Sequence, residues 1–238
     1  MRWCYVDDMW VCIGHSHTLA LERGAELAGF PLDAMNFWHT GEPWLRDGQN
    51  IRLRPDLAAR VGRGRPVLSL IGGSAHTVLG MVEHPRPFDF VLPSDPDLPV
   101  DETREIVPAE AVRAKLAELA APYFEVLPAL LGAASAPVIQ LQPPPPVADE
   151  ARIAPHVPWS LFPGQPRAVA PKWLRYKLWR LHGELIATTC ARLGIRFAPA
   201  PDAAKDGEGF LAARYDQDGA HANAAYGALV LETLRQAA

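Results

Sequence analysis

The sequence predicts an α/β protein, a three-layer α/β/α, flavodoxin-like fold on a doubly wound five-stranded parallel sheet. Short apolar runs that end at glycine or polar clusters alternate along the chain with longer segments of helical periodicity. That order gives a parallel sheet with helices on both faces. The 238 residues, of which 49% are hydrophobic, suffice for one such core, and no linker separates two core-sized pieces. We therefore expect a single domain over residues 1–238.

Five segments are predicted as strands because they are short, apolar and bounded by glycine, proline or polar residues. In chain order they are 9–13, 32–38, 66–71, 137–141 and 195–198. Five segments with helical spacing are predicted as helices, namely 18–27, 55–61, 108–131, 171–193 and 221–236. Pro108 suits a first helical turn, while Gly132 and Gly194 suit helix ends.

A proline-rich excursion is expected at about 142–171, between the fourth strand and the long helix. Many of the 24 prolines lie there, and Pro143 to Pro146 must be extended because each proline disfavours helix in the residue before it. The excursion leaves the sheet on the side where ligands bind. It is therefore either a lid over a site or a packed, inert loop.

Composition excludes several classes of function. A net charge of −4 argues against a nucleic-acid or anionic-membrane partner, which would favour a basic face. The three cysteines, Cys4, Cys12 and Cys190, form no Cys-x-x-Cys pair and are expected to be buried free thiols. Asp7 and Asp8 interrupt the apolar run that an export signal needs, and no stretch approaches the roughly 20 apolar residues of a membrane span. We therefore expect a cytoplasmic location.

The turn after the first strand holds a candidate nucleophile. In sheets of this class ligands bind beyond the carboxyl ends of the strands. There the sequence reads Gly14-His15-Ser16-His17. A serine between a strand and a helix has an exposed hydroxyl, and backbone N–H groups beside it favour developing negative charge. The alternative is that Ser16 only caps the helix.

A candidate acid–base pair precedes the last helix. His221 can take a proton from a serine, and Asp218, three residues earlier, can reach its other ring nitrogen and fix the tautomer. The alternative is that Asp218 only caps the helix and His221 is a surface residue.

Together these two blocks resemble the SGNH (GDSL-like) hydrolase superfamily. Gly14-His15-Ser16-His17 is similar to the family's first block, and Asp218-Gly219-Ala220-His221 is similar to its last, Asp-x-x-His. The resemblance implies an esterase with a Ser16, His221 and Asp218 triad, acting on an acyl ester or acylated sugar without a cofactor or metal. An acyltransferase would share these residues.

The family's middle blocks imply an oxyanion hole made by Ser16, Gly41, Ser74 and His76. Gly41 stands where the second block supplies a backbone N–H. Ser74, in Gly72-Gly73-Ser74, replaces the family's asparagine, and His76 could substitute as a donor. Losing one oxyanion donor costs about 10²–10³-fold in rate. A catalytically weak binding protein on the same frame therefore remains an alternative.

The histidines permit one further alternative, a metal-dependent phosphoesterase. His15, His17 and His76, with Asp218 and His221, could gather at one edge of the sheet. No Asp-x-His motif precedes Gly14-His15-Ser16-His17, which disfavours that alternative.

Overall fold

The main sheet of the computed structural model, which describes residues 9–48 and 50–237, has five parallel strands. They are β1 (Trp10–Gly14), β2 (Leu32–Asn36), β3 (Val67–Leu70), β4 (Val138–Leu141) and β5 (Arg196–Ala198). Their order across the sheet is β2-β1-β3-β4-β5, with parallel pairing throughout. This is the flavodoxin-like order, so the predicted fold class is confirmed.

Nine α-helices connect and cover these strands within the described residues. They are α1 (Thr18–Ala28), α2 (Phe37–Thr40), α3 (Pro55–Val61), α4 (Ala75–Gly80), α5 (Ala109–Phe124), α6 (Leu127–Ala133), α7 (Glu150–Ile153), α8 (Lys172–Leu193) and α9 (Ala224–Gln236). The predictions for α1, α3 and α8 are confirmed to within a residue. Gly194 ends α8 in the left-handed conformation with φ +71°, as its position suggested.

Alternate residues of the strands build two separate cores. Cys12, Leu68 and Ile139 point to the layer of α1 and α9, whereas Val11 and Val138 point to the layer of α3, α6 and the end of α8. This period of two follows from the pleat of a strand. A third cluster joins α5 to α8. The sheet is therefore covered on both faces, and its carboxyl edge remains as the place for a site.

The prediction of a single helix over 108–131 is wrong in one respect, because the segment forms two helices, α5 and α6. Pro128 has no N–H to donate to the carbonyl of Phe124, so the helical ladder breaks after that residue. Gly132, expected at the helix end, lies inside α6, which ends at Ala133.

Two predicted boundaries also move. The strand predicted over 32–38 ends at Asn36, whose side chain accepts a hydrogen bond from the Trp38 N–H (3.0 Å) and starts α2. The helix predicted from 221 begins at Ala224, because Asn223 caps it by accepting from the Tyr226 N–H. His221 therefore lies in the turn before α9.

Three features were not predicted. An antiparallel hairpin joins Trp44–Asp47 to Asn50–Leu53, a short parallel pair joins Phe88–Asp89 to Glu105–Ile106, and α4 follows β3. The excursion is irregular as expected, apart from α7 and two single turns of 3₁₀ helix at Ala154–His156 and Trp159–Leu161.

Two of the three cysteines lie within the described residues. Cys12 and Cys190 are free and buried, whereas Cys4, Asp7 and Asp8 lie outside the described residues.

Contrary to expectation, the stretch Ala109–Ala133 is long and apolar enough to cross a membrane, with mean hydropathy 1.3 in its most apolar window. The core helix of a soluble protein can have the same length and composition.

Candidate active site

The turn after β1 places Ser16 at the carboxyl edge of the sheet. Gly14 has φ +155°, and a Cβ on it would lie 2.8 Å from the Cβ of Leu70 in β3, so only glycine fits there. The Thr18 hydroxyl donates to the His15 carbonyl (2.7 Å) and closes the turn. Ser16 is half-buried in this turn.

The two histidines that flank Ser16 face different groups. The His15 ring lies edge-on to Phe37 and Tyr123, each at a centroid distance of 5.3 Å. The His17 ring lies 5.8 Å from the ring of His221, tilted by 58°. The turn therefore has an aromatic side and a side that faces the Asp218/His221 turn.

The structure brings Asp218 and His221 together as the sequence suggested. The Asp218 Oδ2 atom lies 2.9 Å from His221 Nδ1, and Oδ1 also accepts from the His221 N–H (2.7 Å) and the Ala220 N–H (3.0 Å). The carboxylate thus fixes both the ring and the backbone of His221. Nδ1 is the donor to the carboxylate, which leaves Nε2 as the basic nitrogen.

The carboxyl group of Asp218 stays ionised over a wide pH range. Burial raises its pKa, but the hydrogen bonds from the His221 ring and from two backbone N–H groups outweigh burial and hold the pKa below its ordinary value. A permanently charged partner is what an orienting carboxylate requires.

The direct hydrogen bond predicted between Ser16 and His221 is not formed. Among the described residues the Ser16 hydroxyl has no hydrogen-bond partner, and the ring of His17 is the imidazole next to His221. Catalytic hydrogen bonds are often longer without substrate and tighten in the reacting complex. Ser16 is therefore tied to the pair only through its chain neighbour His17, whose ring faces His221, and its role belongs to the proposal below.

His17 is held in its neutral form. Burial, followed by repulsion from His221, lowers its pKa to about 3. Its Nδ1 atom is buried with no hydrogen-bond partner among the described residues. A neutral imidazole with a free ring nitrogen therefore lies beside His221. The sequence placed this residue in the Gly14-His15-Ser16-His17 block and among the metal candidates, but did not predict its position beside His221.

His76 is tied into a second histidine pair. Its Nδ1 atom lies 3.1 Å from Nδ1 of His182 in α8, and its Nε2 atom lies 3.3 Å from the Thr77 hydroxyl. Burial lowers the pKa of His182 to about 4, and burial together with His182 lowers that of His76 well below its usual value. Both nitrogens of His76 have protein partners, which limits it as an oxyanion donor.

The Ser74 hydroxyl is less engaged in hydrogen bonds than the ring nitrogens of His76. It is half-buried and stands at the N-cap position of α4, where its side chain makes no capping bond. Within residues 9–48 and 50–237 its hydroxyl has no hydrogen-bond partner. Gly41, the other predicted donor, is exposed after α2 with φ +71°. A Cβ there would meet nothing within 4 Å, so no neighbour blocks its backbone.

A cavity of about 50 Å³ lies beside His221. His17, His76 and Thr77 give it a polar side, and the excursion gives it apolar walls from Val147 and Ile153. Ser16 and Ser74 are not among its lining residues. The cavity therefore opens beside the His221 ring, on the side of the turn that His17 faces.

The excursion is anchored at both ends by Arg175. This buried guanidinium in α8 donates to the carbonyls of Val147, Ala148 and Ala170 (2.8 Å for the last). This role was not predicted, because Arg175 is one of four basic residues between positions 172 and 180. Its burial among three carbonyls depends on tertiary packing.

The excursion also touches the turn that carries Asp218 and His221. Arg152 pairs with Asp216, whose side chain is 2% exposed, at 2.6 Å. Gly219 has φ +78°, and a Cβ on it would lie 2.6 Å from the Arg152 carbonyl. The excursion therefore packs directly on the turn.

The histidines considered as metal ligands converge only in part, since His17, His76 and His221 line one cavity. His15 faces aromatic rings, His17 faces His221, and His76 pairs with His182. Within residues 9–48 and 50–237, no group of three or more His, Cys, Asp or Glu side chains could hold a metal ion.

Comparison with known proteins gives only distant similarity. No protein-family model matches the sequence, and no curated protein matches it. Among solved structures, the chain is similar to a GDSL-like lipase from Bacteroides thetaiotaomicron (15% identity, TM-score 0.43, covering 97% of this chain and 87% of that chain). It is also similar to an aryl esterase from M. smegmatis (13% identity, TM-score 0.43, covering 97% of this chain and 98% of that chain). A third similar structure is a carbohydrate acetylesterase from Sinorhizobium meliloti (14% identity, TM-score 0.43, covering 98% of this chain and 100% of that chain). Similarity this distant carries no argument for fold or function, which rest on strand order and on side-chain geometry.

Proposed function

We propose that this protein is a serine-dependent esterase in which Ser16, His221 and Asp218 form a triad. The observation that carries the proposal is the Asp218–His221 pair, joined at 2.9 Å at the edge of the sheet where the turn of Ser16 also lies. A carboxylate that fixes the tautomer of a half-exposed imidazole next to a serine turn is suited to acyl transfer. The substrate is an acyl ester or acylated sugar.

The reaction has two steps. The Ser16 oxygen forms a bond to the ester carbonyl carbon while its proton passes to Nε2 of His221. The carbon–alkoxide bond then breaks, and His221 returns the proton to the leaving oxygen. Water then forms a bond to the acyl carbon while His221 takes its proton. The bond between that carbon and the Ser16 oxygen breaks, and His221 returns the proton to Ser16, so that the acyl group leaves as a carboxylic acid. An alcohol in place of water would make the same site an acyltransferase.

The negative oxygen of each intermediate needs donors. The N–H groups of Ser16 and Gly41 and the hydroxyl of Ser74 are the candidates, because the Ser74 hydroxyl has no partner among the described residues. His76 is the weaker candidate, since Thr77 and His182 engage both of its ring nitrogens.

The test is a panel of p-nitrophenyl esters and acetylated sugars, run on wild type and on Ser16→Ala. We expect hydrolysis by wild type and a loss of at least about 10³-fold in the variant, with the fold unchanged because Ser16 lies in a turn. Ser160→Ala, an exposed serine of the excursion, is the control. Equal rates for Ser16→Ala and wild type would contradict the nucleophile assignment.

The same panel separates the other candidate activities. EDTA should leave hydrolysis unchanged, because the triad supplies its own nucleophile and base. Activity lost on EDTA and restored by zinc or manganese would favour a metal-dependent phosphoesterase. Failure of a fluorophosphonate probe to label Ser16 would favour a binding protein without activity.

A further inference from the structure

We infer that the cavity beside His221 is the acyl-binding site and that the proline-rich excursion limits it to acetyl-sized acyl groups. This inference rests on the proposed function and adds the substrate class to it. The ester carbonyl carbon must come within reach of both Ser16 and His221, so the first carbons of the acyl chain lie close to the His221 ring. Ser16 itself does not line the cavity. The cavity touches that ring and the ring of His17, the neighbour of Ser16.

The size of the cavity sets the acyl length. A single water needs about 10–15 Å³ by the same measure, so about 50 Å³ takes a group the size of acetyl. A six-carbon chain would have to displace the walls. Close-packed protein walls move only at a cost of kilocalories, so longer acyl groups should react more slowly.

The limiting walls come from the excursion. Val147 and Ile153 are 8% and 3% exposed and belong to the core that the sheet shares with α1 and α9. Arg175 fixes the carbonyl of Val147, and the Arg152–Asp216 ion pair fixes the helix turn that carries Ile153. Both walls are therefore held in place.

The chemistry of the cavity also fits an uncharged acyl group. Among the side chains of residues 9–48 and 50–237, no Asp or Glu lines it, and its histidines other than His221 are neutral because burial lowers their pKa. Its arginine, Arg175, already donates to three carbonyls. A cavity that combines apolar walls with fixed polar groups is a common form of a small-molecule site.

The experiment measures kcat/KM for p-nitrophenyl acetate, butyrate and hexanoate on wild type, Ile153→Ala and Val147→Ala. Wild type should prefer acetate over hexanoate by about tenfold or more. Each variant should raise the hexanoate-to-acetate ratio by about tenfold, because the excess methylenes gain space. Val147→Ala is the smaller truncation and guards against an unstable Ile153→Ala. Leu161→Ala, on the same excursion but 67% exposed, should leave the ratio at the wild-type value.

The outcomes separate the inference from the proposed function. If wild type hydrolyses hexanoate as fast as acetate, or both variants keep the wild-type ratio, the acyl-site assignment is overturned and the triad stands. If Ser16→Ala stays active, the triad is overturned. The hexanoate-to-acetate ratios of Ile153→Ala and Val147→Ala still test whether the cavity binds the acyl group. If wild type hydrolyses none of the three esters, both are overturned.

Discussion

Asp218 acts on the chemistry only through His221. Its carboxylate binds the ring at Nδ1 and two backbone N–H groups, so replacing one oxygen by an NH₂ group should preserve the turn but disturb the tautomer. We expect Asp218→Asn to lower kcat by about 10²–10⁴-fold with little change in KM. Steady-state kinetics on p-nitrophenyl acetate measure this, with the exposed Asp202→Asn as the control. A variant with wild-type kcat would mean that His221 needs no orienting carboxylate.

Ser74 stands where a longer donor is expected from the family resemblance. Since its hydroxyl has no partner among the described residues, Ser74→Asn should extend the donor toward the oxyanion. We expect kcat unchanged or raised by up to about 10²-fold, measured on the same ester. Ser160→Asn, on the exposed excursion, should have no effect. A large fall in kcat would show that the pocket is built around a short side chain at position 74.

The sequence could predict that Asp218 and His221 come together, but not the directions of the other side chains near the carboxyl edge. Asp218 and His221 are three residues apart in one turn, so their contact follows from spacing. The direction of His17 depends on the turn that Thr18 closes and on the position of α9, which is tertiary information. For His182, a histidine within the apolar stripe of Leu178, Leu181 and Leu185 was a usable signal of a buried polar role.

Helix boundaries were predictable where a proline or a glycine marks the end of the helix. Gly194 ends α8 as expected, and α3 begins at Pro55. The break after Phe124 was readable in principle from Pro128, but the apolar periodicity continues across it. In the hairpin at 44–53, apolar and polar residues alternate only weakly and most side chains are exposed. Hydrophobicity therefore does not reveal its two strands.

The excursion depends on one arginine. Arg175→Met would keep the apolar stem and leave the carbonyls of Val147, Ala148 and Ala170 without their donor. An unsatisfied buried acceptor costs about 1–3 kcal/mol, so the free energy of unfolding should fall by at least about 2 kcal/mol. Urea denaturation measures this fall, and chymotrypsin should cut faster within 147–170. The control is Arg167→Met, an exposed arginine of the same segment. Unchanged stability and cleavage would show that packing alone holds the excursion.

At the scale of the whole molecule, three neutral histidines connect distant parts of the chain. His17 directly precedes α1, His76 lies in α4 and His182 lies in α8, and all three have pKa values lowered by burial. In the unfolded chain each would have its ordinary pKa of about 6.5. The unfolded state therefore binds more protons than the folded state below that pH. The free energy of unfolding must fall as pH drops from about 6.5 toward the folded values near 3 and 4.

The last prediction follows from this linkage. The melting temperature of wild type should be nearly constant above pH 7 and fall between pH 6.5 and about 4, because the free energy of unfolding decreases by up to about 1.4 kcal/mol per pH unit for each histidine. His182→Gln keeps a polar side chain in α8 but removes one titrating group, so its stability should depend less steeply on pH than that of wild type, whatever its stability at pH 7.5. Thermal denaturation at pH 7.5, 6.5, 5.5 and 4.5 measures both slopes, and His156→Gln, an exposed histidine of the excursion, should keep the wild-type slope. Equal slopes for wild type and His182→Gln would mean that His182 becomes protonated without unfolding. In that case the His76–His182 pair, joined at 3.1 Å, would have to open or share a proton within the folded protein.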